Sequence, residues 1–361
     1  MSDLDAAVAA TGLAIAGRKI GPDQPPYVIA EISANHGQSK AAAVELIHAA
    51  AAAGADAVKL QHYTPETITV RSSHPDFEIR GGTLWDGAQL ADLYAEAMTP
   101  WEWTADLATA AADAGITWFS TPFDPSAADY LEQFDVPAYK IASFELIDLP
   151  LIRYVAAKGR PLLMSTGMAT LAEIDAAVTA ADEAGAPGLA LLRCSSAYPA
   201  RLEEIGLRSI PVMAQLWSVP IGFSDHTLGS AAANASVALG ACVIEKHLTM
   251  NRGDGGPDAA FSSEPAELAE LVTGVRDAHV ALGAVRFGPS PSETASLAFR
   301  RSLRAVAPIA AGQQLTVDNV RSVRPAGGLA PDLVDLVIGS VAVRDLEQGA
   351  PVNWADIRPA P

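Results

Sequence analysis

The chain has 361 residues, of which half are hydrophobic, and it carries 24 Lys and Arg against 42 Asp and Glu, a formal charge of -18. This length suits one large α/β barrel with a small companion domain, and the charge argues against nucleic acid and anionic membranes as partners. Cys194 and Cys242 both lie in apolar runs, so no disulfide framework is expected. The first residues, MSDLDAAVAATG, lack a basic stretch before an apolar one, and no segment has about 20 uninterrupted apolar residues, so we expect a cytoplasmic protein.

Eight apolar, strand-like runs each end in a short polar burst, and helical patterns separate them. In chain order these runs are YVIAEI, AVKLQHY, TWFSTPFD, AYKIASFE, PLLMSTGM, LALLRCSSAYP, IGFSDH and VIEKH. A glycine stands just before a following strand at Gly54, Gly115, Gly159, Gly185 and Gly240, as short connections from helix to strand require. Eight βα units predict a (β/α)8 TIM barrel whose active face lies at the carboxyl ends of its strands. A doubly wound sheet is the alternative, and the absence of GxGxxG after the first strand argues against it.

Two histidines, His226 and His247, end the last two strand-like runs. Neighbouring parallel strands end side by side, so the two imidazoles are expected on one rim, close enough to share a divalent metal with open coordination positions. A lone histidine at a strand end is more often structural, but two at equivalent ends favour a metal site.

One loop, from Thr64 to Met98, is much longer than the others, and loops of this length are usually functional. A disordered insertion is the alternative. Trp85 and the apolar residues Leu84, Leu90, Leu93 and Tyr94 instead predict a packed lid.

The repeat ends at FGPSPSETASLAFRRS, a Gly-Pro-Ser linker. We therefore predict a barrel over residues 1–285, a linker over 286–299 and a small β-rich domain over 300–361. About 60 residues make a domain that is marginal by itself and that leans on a larger partner.

The motifs AEISANHG, VKLQ, FSTPFD, YKIASFE, STGMAT, FSDHTLG and IEKHLT, in this order and with this tail, resemble the sialic acid synthase family over nearly the whole chain. The stretches GGTLWDGAQLADLYAEAMTPWEWT and GDGGPDAAFS are most similar to its pseudaminic acid synthase branch, although GGPD also suits the neuraminate branch. The resemblance implies a barrel with a C-terminal antifreeze-like (SAF) domain, paired into a domain-swapped homodimer. It also implies condensation of phosphoenolpyruvate with an open-chain N-acetylated amino sugar to a nine-carbon nonulosonic acid. Pseudaminic acid is the expected product, with N-acetylneuraminate or legionaminate as alternatives.

The resemblance also assigns roles to residues. The metal held by His226 and His247 is expected to be Mn²⁺, with Mg²⁺ or Co²⁺ as alternatives. Glu31 matches the general base or water-positioning carboxylate. Residues on phosphoenolpyruvate-binding positions are Lys59, Thr121, Lys140, Ser143, Ser165, Ser196 and Ser224; Ser196 stands where neuraminate synthases carry Asn. Residues on sugar-binding positions are Glu145, Tyr198, Asp258 and Arg324, the last reaching the acyl group in the partner's site.

Three other functions compete with this interpretation. A Schiff-base aldolase on the same fold could use Lys59, Lys140 or Lys246 as its nucleophile. A non-catalytic sugar-binding barrel with an ice-binding tail has no need for two His and several Lys at strand ends. A barrel that condenses phosphoenolpyruvate with an unacetylated sugar phosphate is the remaining relative.

Overall fold

The computed structural model describes residues 13–360, and the chain divides into two compact units between Gly283 and Ala284. The acidic stretch on which the absence of a signal segment was inferred lies outside the described residues. A short antiparallel hairpin, Ala14–Ile15 with Arg18–Lys19, precedes the first barrel strand. The barrel strands are β1 Tyr27–Glu31, β2 Ala57–His62, β3 Thr117–Pro122, β4 Tyr139–Ile141, β5 Leu162–Ser165, β6 Leu189–Cys194, β7 Ile221–Asp225 and β8 Val243–His247.

These eight parallel strands form a closed barrel in which β8 pairs with β1, which confirms the predicted TIM barrel and excludes the open sheet. The register brings the polar strand ends to one level. His247 lies beside Glu31, and Glu31 lies beside Lys59 on the next strand. Because side chains alternate between the two faces of a strand, each strand sends every second residue into the barrel.

One helix follows each strand. They are α1 Lys40–Ala52, α2 Thr104–Asp113, α3 Pro125–Glu132, α4 Leu149–Ala156, α5 Leu171–Glu183, α6 Ser209–Trp217, α7 Ala231–Ala238 and α8 Pro265–Leu282. Side-chain caps set several starts: Ser39 accepts from the Ala42 amide, and Asp124 accepts from the Ser126 and Ala127 amides. The five glycines predicted to end helices have positive φ angles between 67° and 102°, the region that side chains disfavour.

Short 3-10 turns carry several of the loops on the active face of the barrel. They span Trp101–Trp103, Glu145–Ile147, Leu202–Glu204, Arg252–Asp254 and Ala259–Phe261. Both cysteines are buried and unpaired, as expected. No helix within residues 13–360 is long and apolar enough to cross a membrane.

The long loop after β2 is folded, as predicted. It contains the helices Pro65–Ile68 and Leu90–Ala97 and a 3-10 turn at Pro75–Phe77. Trp85, Leu90, Leu93 and Tyr94 are partly buried. Leu84 is 51% exposed, so its predicted place in the packed side of the loop is wrong: the turn that buries Trp85 directs its neighbour to solvent.

The second unit has a small core of its own, which includes Leu303, Ile309, Leu315 and Val352. It contains two two-stranded antiparallel sheets, Ser302–Ala305 with Val320–Val323 and Val341–Ala342 with Ile357–Arg358. Its helices are the short Val334–Val337 and the 3-10 segments Pro291–Phe299, Pro331–Leu333 and Trp354–Asp356. Most of the predicted linker is therefore a 3-10 helix, and it joins the small domain because the Ala326 amide donates to the Ala298 carbonyl at 2.9 Å.

Candidate active site

A buried lysine of β2 interacts with a carboxylate of β1 and with one of β8. The Glu31 carboxylate pairs with the Lys59 ammonium group, whose Nζ also lies 3.8 Å from Glu245 Oε2 and donates to Thr121 Oγ1 at 3.2 Å. All four side chains are buried. A buried charge is tolerated when it is paired and hydrogen bonded. The charges of this cluster are paired, but Glu31 Oε2 and Glu245 Oε2 have no hydrogen bond partner among the described residues.

The charges in this cluster set one another's protonation. Burial raises the pKa of Glu31, and this effect outweighs the charge of Lys59, which lowers it. Burial alone would lower the pKa of Lys59, but Glu245 and Glu31 outweigh it and raise that pKa. Burial would likewise raise the pKa of Glu245, but the charges of Lys140 and Lys59 lower it. Lys59 and Glu245 are therefore held ionised, and Glu31 is the group whose proton affinity is raised.

Lys140, at the end of β4, has a different environment. Its Nζ donates to Ser165 Oγ at 2.6 Å and to the Ile141 carbonyl at 3.1 Å, and it makes no ion pair among residues 13–360. Burial lowers the pKa of Lys140. This ammonium group is therefore available to an incoming anion, which would restore its full charge.

Several serine hydroxyl groups lie at the same end of the barrel as the two lysines. Ser143 Oγ and Ser196 Oγ lie 2.8 Å apart, and Ser224 Oγ donates to Glu245 Oε1 at 3.0 Å. Gly167 leaves room for the Ser143–Ser196 pair, because a Cβ there would clash with Ser143 and come within 2.6 Å of Ser196 Oγ. We call the predicted lysines and hydroxyl groups at these strand ends the lysine side of the barrel mouth: Lys59, Thr121, Lys140, Ser143, Ser165, Ser196 and Ser224.

His226 follows β7 and His247 ends β8, and their ring centroids lie 5.2 Å apart. Burial alone would lower the pKa of His226, but Cys194 and the Ser195 carbonyl outweigh it and raise that pKa, so Nε2 has a free lone pair only when the ring is neutral. His226 Nδ1 lies 2.7 Å from the Ser195 carbonyl, which can only accept, so Nδ1 carries a proton. A metal-binding histidine typically donates its second ring nitrogen in this way. His247 Nδ1 has no hydrogen bond partner within the described chain and lies 3.8 Å from Asp258 Oδ2. Burial, with the charges around it, holds the pKa of His247 well below its usual range, so it is the neutral ligand form.

These features fit a divalent metal with two protein ligands. Within residues 13–360 there is no group of three or more His, Cys, Asp and Glu side chains that could hold a metal. Water and substrate would therefore complete the shell of any ion held by this histidine pair.

Aromatic rings also lie at the barrel mouth, in contact with the histidine pair. The Tyr198 ring lies 4.4 Å from that of His226 and 5.0 Å from that of Phe261, and Phe261 lies 5.0 Å from His247. Trp85, from the long loop, is 5.6 Å from Tyr198. We call Tyr198, Phe261 and Trp85 the aromatic side.

The two carboxylates predicted to bind the sugar, Glu145 and Asp258, lie in the loops after β4 and β8. Asp258 accepts from the Ser33 hydroxyl, and burial raises the pKa of Asp258. Burial raises the pKa of Glu145 to about 7, and its Oε2 has no hydrogen bond partner among the described residues. Both can therefore accept hydrogen bonds from hydroxyl groups of a ligand once they are ionised.

Arg324 belongs to the second unit and is exposed. With Ser296, Phe299, Arg300 and Arg301 it lines a concavity of about 560 Å³. Its predicted action in a partner's site stays a prediction.

Sequence reasoning did not assign Ser33, Gln61 and Glu245 to the site, and the fold brings all three into it. Gln61 Nε2 donates to Glu31 Oε1 at 3.1 Å and to Ser33 Oγ at 2.9 Å, and Glu245 bridges Lys59 and Ser224. Alternation along β8 could have identified Glu245, because residues 245 and 247 share one face of the strand. Lys246 lies on the other face, where it pairs with Asp225 at 3.0 Å and is buried, so it is not a free nucleophile.

The chain is similar to known proteins over most of its length. The chain matches the model of the NeuB family over residues 46–286 and that of the SAF domain over residues 300–358. Pseudaminic acid synthase of Campylobacter jejuni is 39% identical over 336 residues, covering 93% of this chain and 98% of that protein. N,N'-diacetyllegionaminic acid synthase of Legionella pneumophila is 32% identical, covering 93% and 96%. The solved N-acetylneuraminic acid synthetase of Leptospira borgpetersenii, in complex with citrate, superposes with a TM-score of 0.70 at 31% identity, covering 79% and 94%.

Proposed function

Because this chain belongs to the NeuB family, we propose that it condenses phosphoenolpyruvate with an open-chain N-acetylated amino sugar and releases phosphate. The product is a nine-carbon nonulosonic acid. Pseudaminic acid is favoured by the 39% identity to a pseudaminic acid synthase, and legionaminate or N-acetylneuraminate are the alternatives. The observation that carries the proposal is the presence of buried lysines and hydroxyl groups and of a histidine pair at the strand ends of one barrel mouth.

Phosphoenolpyruvate binds on the lysine side. A small, highly charged anion needs concentrated donors in a protein of net charge -18. Lys140 supplies an ammonium group without a carboxylate partner, while Lys59 is already shared between Glu31 and Glu245. We therefore assign the larger share of anion binding to Lys140 and the serine hydroxyls around it.

The reaction requires a new carbon–carbon bond and the addition of water. Carbon 3 of phosphoenolpyruvate bonds to the aldehyde carbon, whose oxygen takes up a proton and becomes a hydroxyl group. The oxygen of water adds to carbon 2, the bond from carbon 2 to the phosphate oxygen breaks, and a ketone remains. The two protons of that water are thus balanced by the new hydroxyl group and by the released phosphate.

The chain provides groups for each of these changes. A divalent ion, Mn²⁺ or alternatively Mg²⁺ or Co²⁺, held by His226 and His247 would polarise the aldehyde oxygen. Glu31 takes a proton from the attacking water, and its Oε1 is held by the Ser33 amide at 3.0 Å and by Gln61. Glu145, Asp258 and Tyr198 contact the sugar. Arg324 acts in the site of a partner subunit, where its planar guanidinium donates to the acyl carbonyl.

Phosphate release tests this function. Purified protein with phosphoenolpyruvate and manganese is assayed against a panel of diacetamido-trideoxyhexoses and against N-acetylmannosamine. We expect phosphate only when an N-acetylated sugar is present. Absence of phosphate with every sugar would contradict the proposal.

One observation favours the Schiff-base aldolase as a second candidate: burial lowers the pKa of Lys140, as imine formation requires. Borohydride trapping separates the two functions. The synthase forms no imine and stays unlabelled, whereas an aldolase would be labelled by its carbonyl substrate at Lys140.

A further inference from the structure

Trp85 has no part in the functions assigned so far, although it lies next to the substrate-contacting Tyr198. Its ring centroid is 5.6 Å from that of Tyr198, and its indole N–H donates to the Pro257 carbonyl at 3.0 Å. These contacts anchor the long loop to another loop of the barrel mouth. Trp85 is thus fixed both by its ring and by its polar edge.

The turn around Trp85 is built to hold this position. The Asp86 carboxylate accepts from the amides of Gly82 and Thr83 at 2.7 and 2.9 Å, and from the Thr83 hydroxyl at 2.8 Å. The Gly87 amide donates to the Ile79 carbonyl at 2.9 Å. Trp85 is therefore presented by an ordered turn, even though most of its neighbours are exposed.

The aromatic side runs outward from the histidine pair. The ring centroids of Tyr198 and His226 are 4.4 Å apart, and Trp85 packs against Tyr198 at a centroid distance of 5.6 Å. The aldehyde carbon of the sugar must lie beside the histidine pair in order to meet phosphoenolpyruvate. The far end of the sugar then points away from the histidines, and the outer ring of this wall is that of Trp85.

The ring face that Trp85 contributes to this outer wall is apolar. The only polar atom of the indole is already engaged by Pro257, and an indole N–H cannot accept a hydrogen bond. A terminal hydroxyl group packed against this ring would lose its hydration without a protein partner, whereas a methyl group would gain from burial.

We propose that Trp85 is a specificity-determining residue that selects sugars ending in a methyl group over the same sugars ending in a hydroxymethyl group. This inference rests on the proposed function and names the substrate class of that site. A hydrophobic pocket discriminates against one added hydroxyl by about a hundredfold at most, so we expect a preference of roughly tenfold to a hundredfold.

The test uses a matched pair of sugars. One is a diacetamido-trideoxyhexose, and the other is the same sugar with its terminal hydroxyl group retained. We compare the ratio of their kcat/KM values in the wild type and in Trp85→Ala, together with the KM for phosphoenolpyruvate. Trp85→Ala should reduce the ratio to within about threefold of unity, mainly through loss on the methyl sugar, with the KM for phosphoenolpyruvate unchanged.

Two further variants control this result. Trp101→Phe removes another indole-to-carbonyl hydrogen bond, to Tyr63 at 3.2 Å, from a tryptophan that stacks on Tyr130, and it should keep the wild-type ratio. If Trp85→Ala fails to fold, Trp85→Leu keeps apolar volume but loses the flat ring, and its ratio should fall by a smaller factor. An unchanged ratio in the folded Trp85 variant, or an equal loss for both sugars, would overturn the inference. A wild type that releases no phosphate with either sugar would instead overturn the proposed function itself.

Discussion

The lysine side and the aromatic side of the barrel mouth are built by different parts of the chain. The lysine side consists of strand ends and the residues directly after them, at a depth fixed by the strand register. The aromatic side consists of loop residues: Trp85 from the long loop, Tyr198 after β6 and Phe261 from a 3-10 turn after β8.

This difference separates the constant part of the proposed reaction from its variable part. A closed barrel holds strand-end groups rigidly, which suits a substrate with fixed charges. Loops can change their length and side chains without disturbing the barrel, which suits an acceptor sugar that differs among relatives. We therefore expect substitutions on the lysine side to affect phosphoenolpyruvate and those on the aromatic side to affect the sugar.

The largest expected effect is at the histidine pair, which serves both substrates in the mechanism that we propose. Excess chelator should abolish phosphate release and added manganese should restore it, because an ion with two protein ligands is readily lost. His247→Ala should not be rescued by ordinary manganese concentrations. His48→Ala, an exposed histidine on α1, is the control and should behave as the wild type. Full activity in excess chelator would refute metal dependence.

The next largest effect is expected on the lysine side alone. Lys140→Ala removes a buried charge that we assign to phosphoenolpyruvate, a change worth about 2 to 5 kcal/mol, or roughly a thirtyfold to several thousandfold loss. Steady-state kinetics should show this loss in the apparent affinity for phosphoenolpyruvate rather than in that for the sugar. Lys40→Ala, which removes an exposed ion pair with Asp106, should change neither. Equal losses of apparent affinity for both substrates would contradict the assignment of phosphoenolpyruvate to the lysine side and of the sugar to the aromatic side.

A smaller effect tests whether the proposed sugar-binding site is complete within one subunit. Arg324→Ala should reduce catalytic efficiency by about tenfold to a hundredfold, since a charge-assisted hydrogen bond is worth about 1.5 to 3 kcal/mol. Arg358→Ala, an exposed arginine of the same domain, should leave catalytic efficiency unchanged.

Mixing Arg324→Ala with Glu31→Ala then distinguishes action in trans from action in cis. If Arg324 acts in the partner's site, each mixed dimer contains one site with both residues intact, and activity should rise towards half of the wild type within the heterodimers. No recovery despite demonstrated subunit exchange would place Arg324 in its own subunit's site.

The smallest effect is a change in pH dependence. Because burial raises the pKa of Glu145 to about 7, its ionised form should accumulate only as the pH rises through that value. If that carboxylate accepts sugar hydroxyls, kcat/KM for the sugar should rise by up to about tenfold per pH unit below 7 and then level off. Glu145→Gln should lose this dependence and retain a lower, flatter activity. If kcat/KM of the variant still rises with pH below 7 as in the wild type, a group other than Glu145 controls this pH dependence.

The strand pattern and its polar endings predicted the barrel because each βα unit repeats the same local signals. Those signals also placed Lys59, Lys140 and the histidines, since burying a charged or polar side chain at a strand end is costly unless a partner or a ligand meets it there. Glu245 was missed for a different reason. Its role depends on Lys59 and Ser224, which belong to two other strands, and only the closed register brings the three together.

Loop geometry was the harder part to predict. The hydrophobic pattern of the long loop indicated packing, but it treated Leu84 and Trp85 alike, and only Trp85 is directed inward. The hydrogen bonds of Asp86 decide that orientation, and they depend on backbone conformation at Gly82 and Thr83 that no periodicity specifies. Arg324 could be identified only by resemblance, because an exposed arginine carries no distinctive local signal.

The pairing of β8 with β1 has a consequence for synthesis on the ribosome. The nascent chain exposes the edge of β1 from the moment it emerges, and its barrel partner follows roughly 200 residues later, about 10 to 40 s at ordinary elongation rates. During that interval an unpaired edge strand and a partly formed apolar barrel are open to association with other chains. Glu31 and Lys59 can meet Glu245 only after the ring has closed, so a chain released before β8 would be inactive as well as prone to aggregate. We expect cellular yield of this protein to depend on chaperones that shield the open barrel until the last strand arrives.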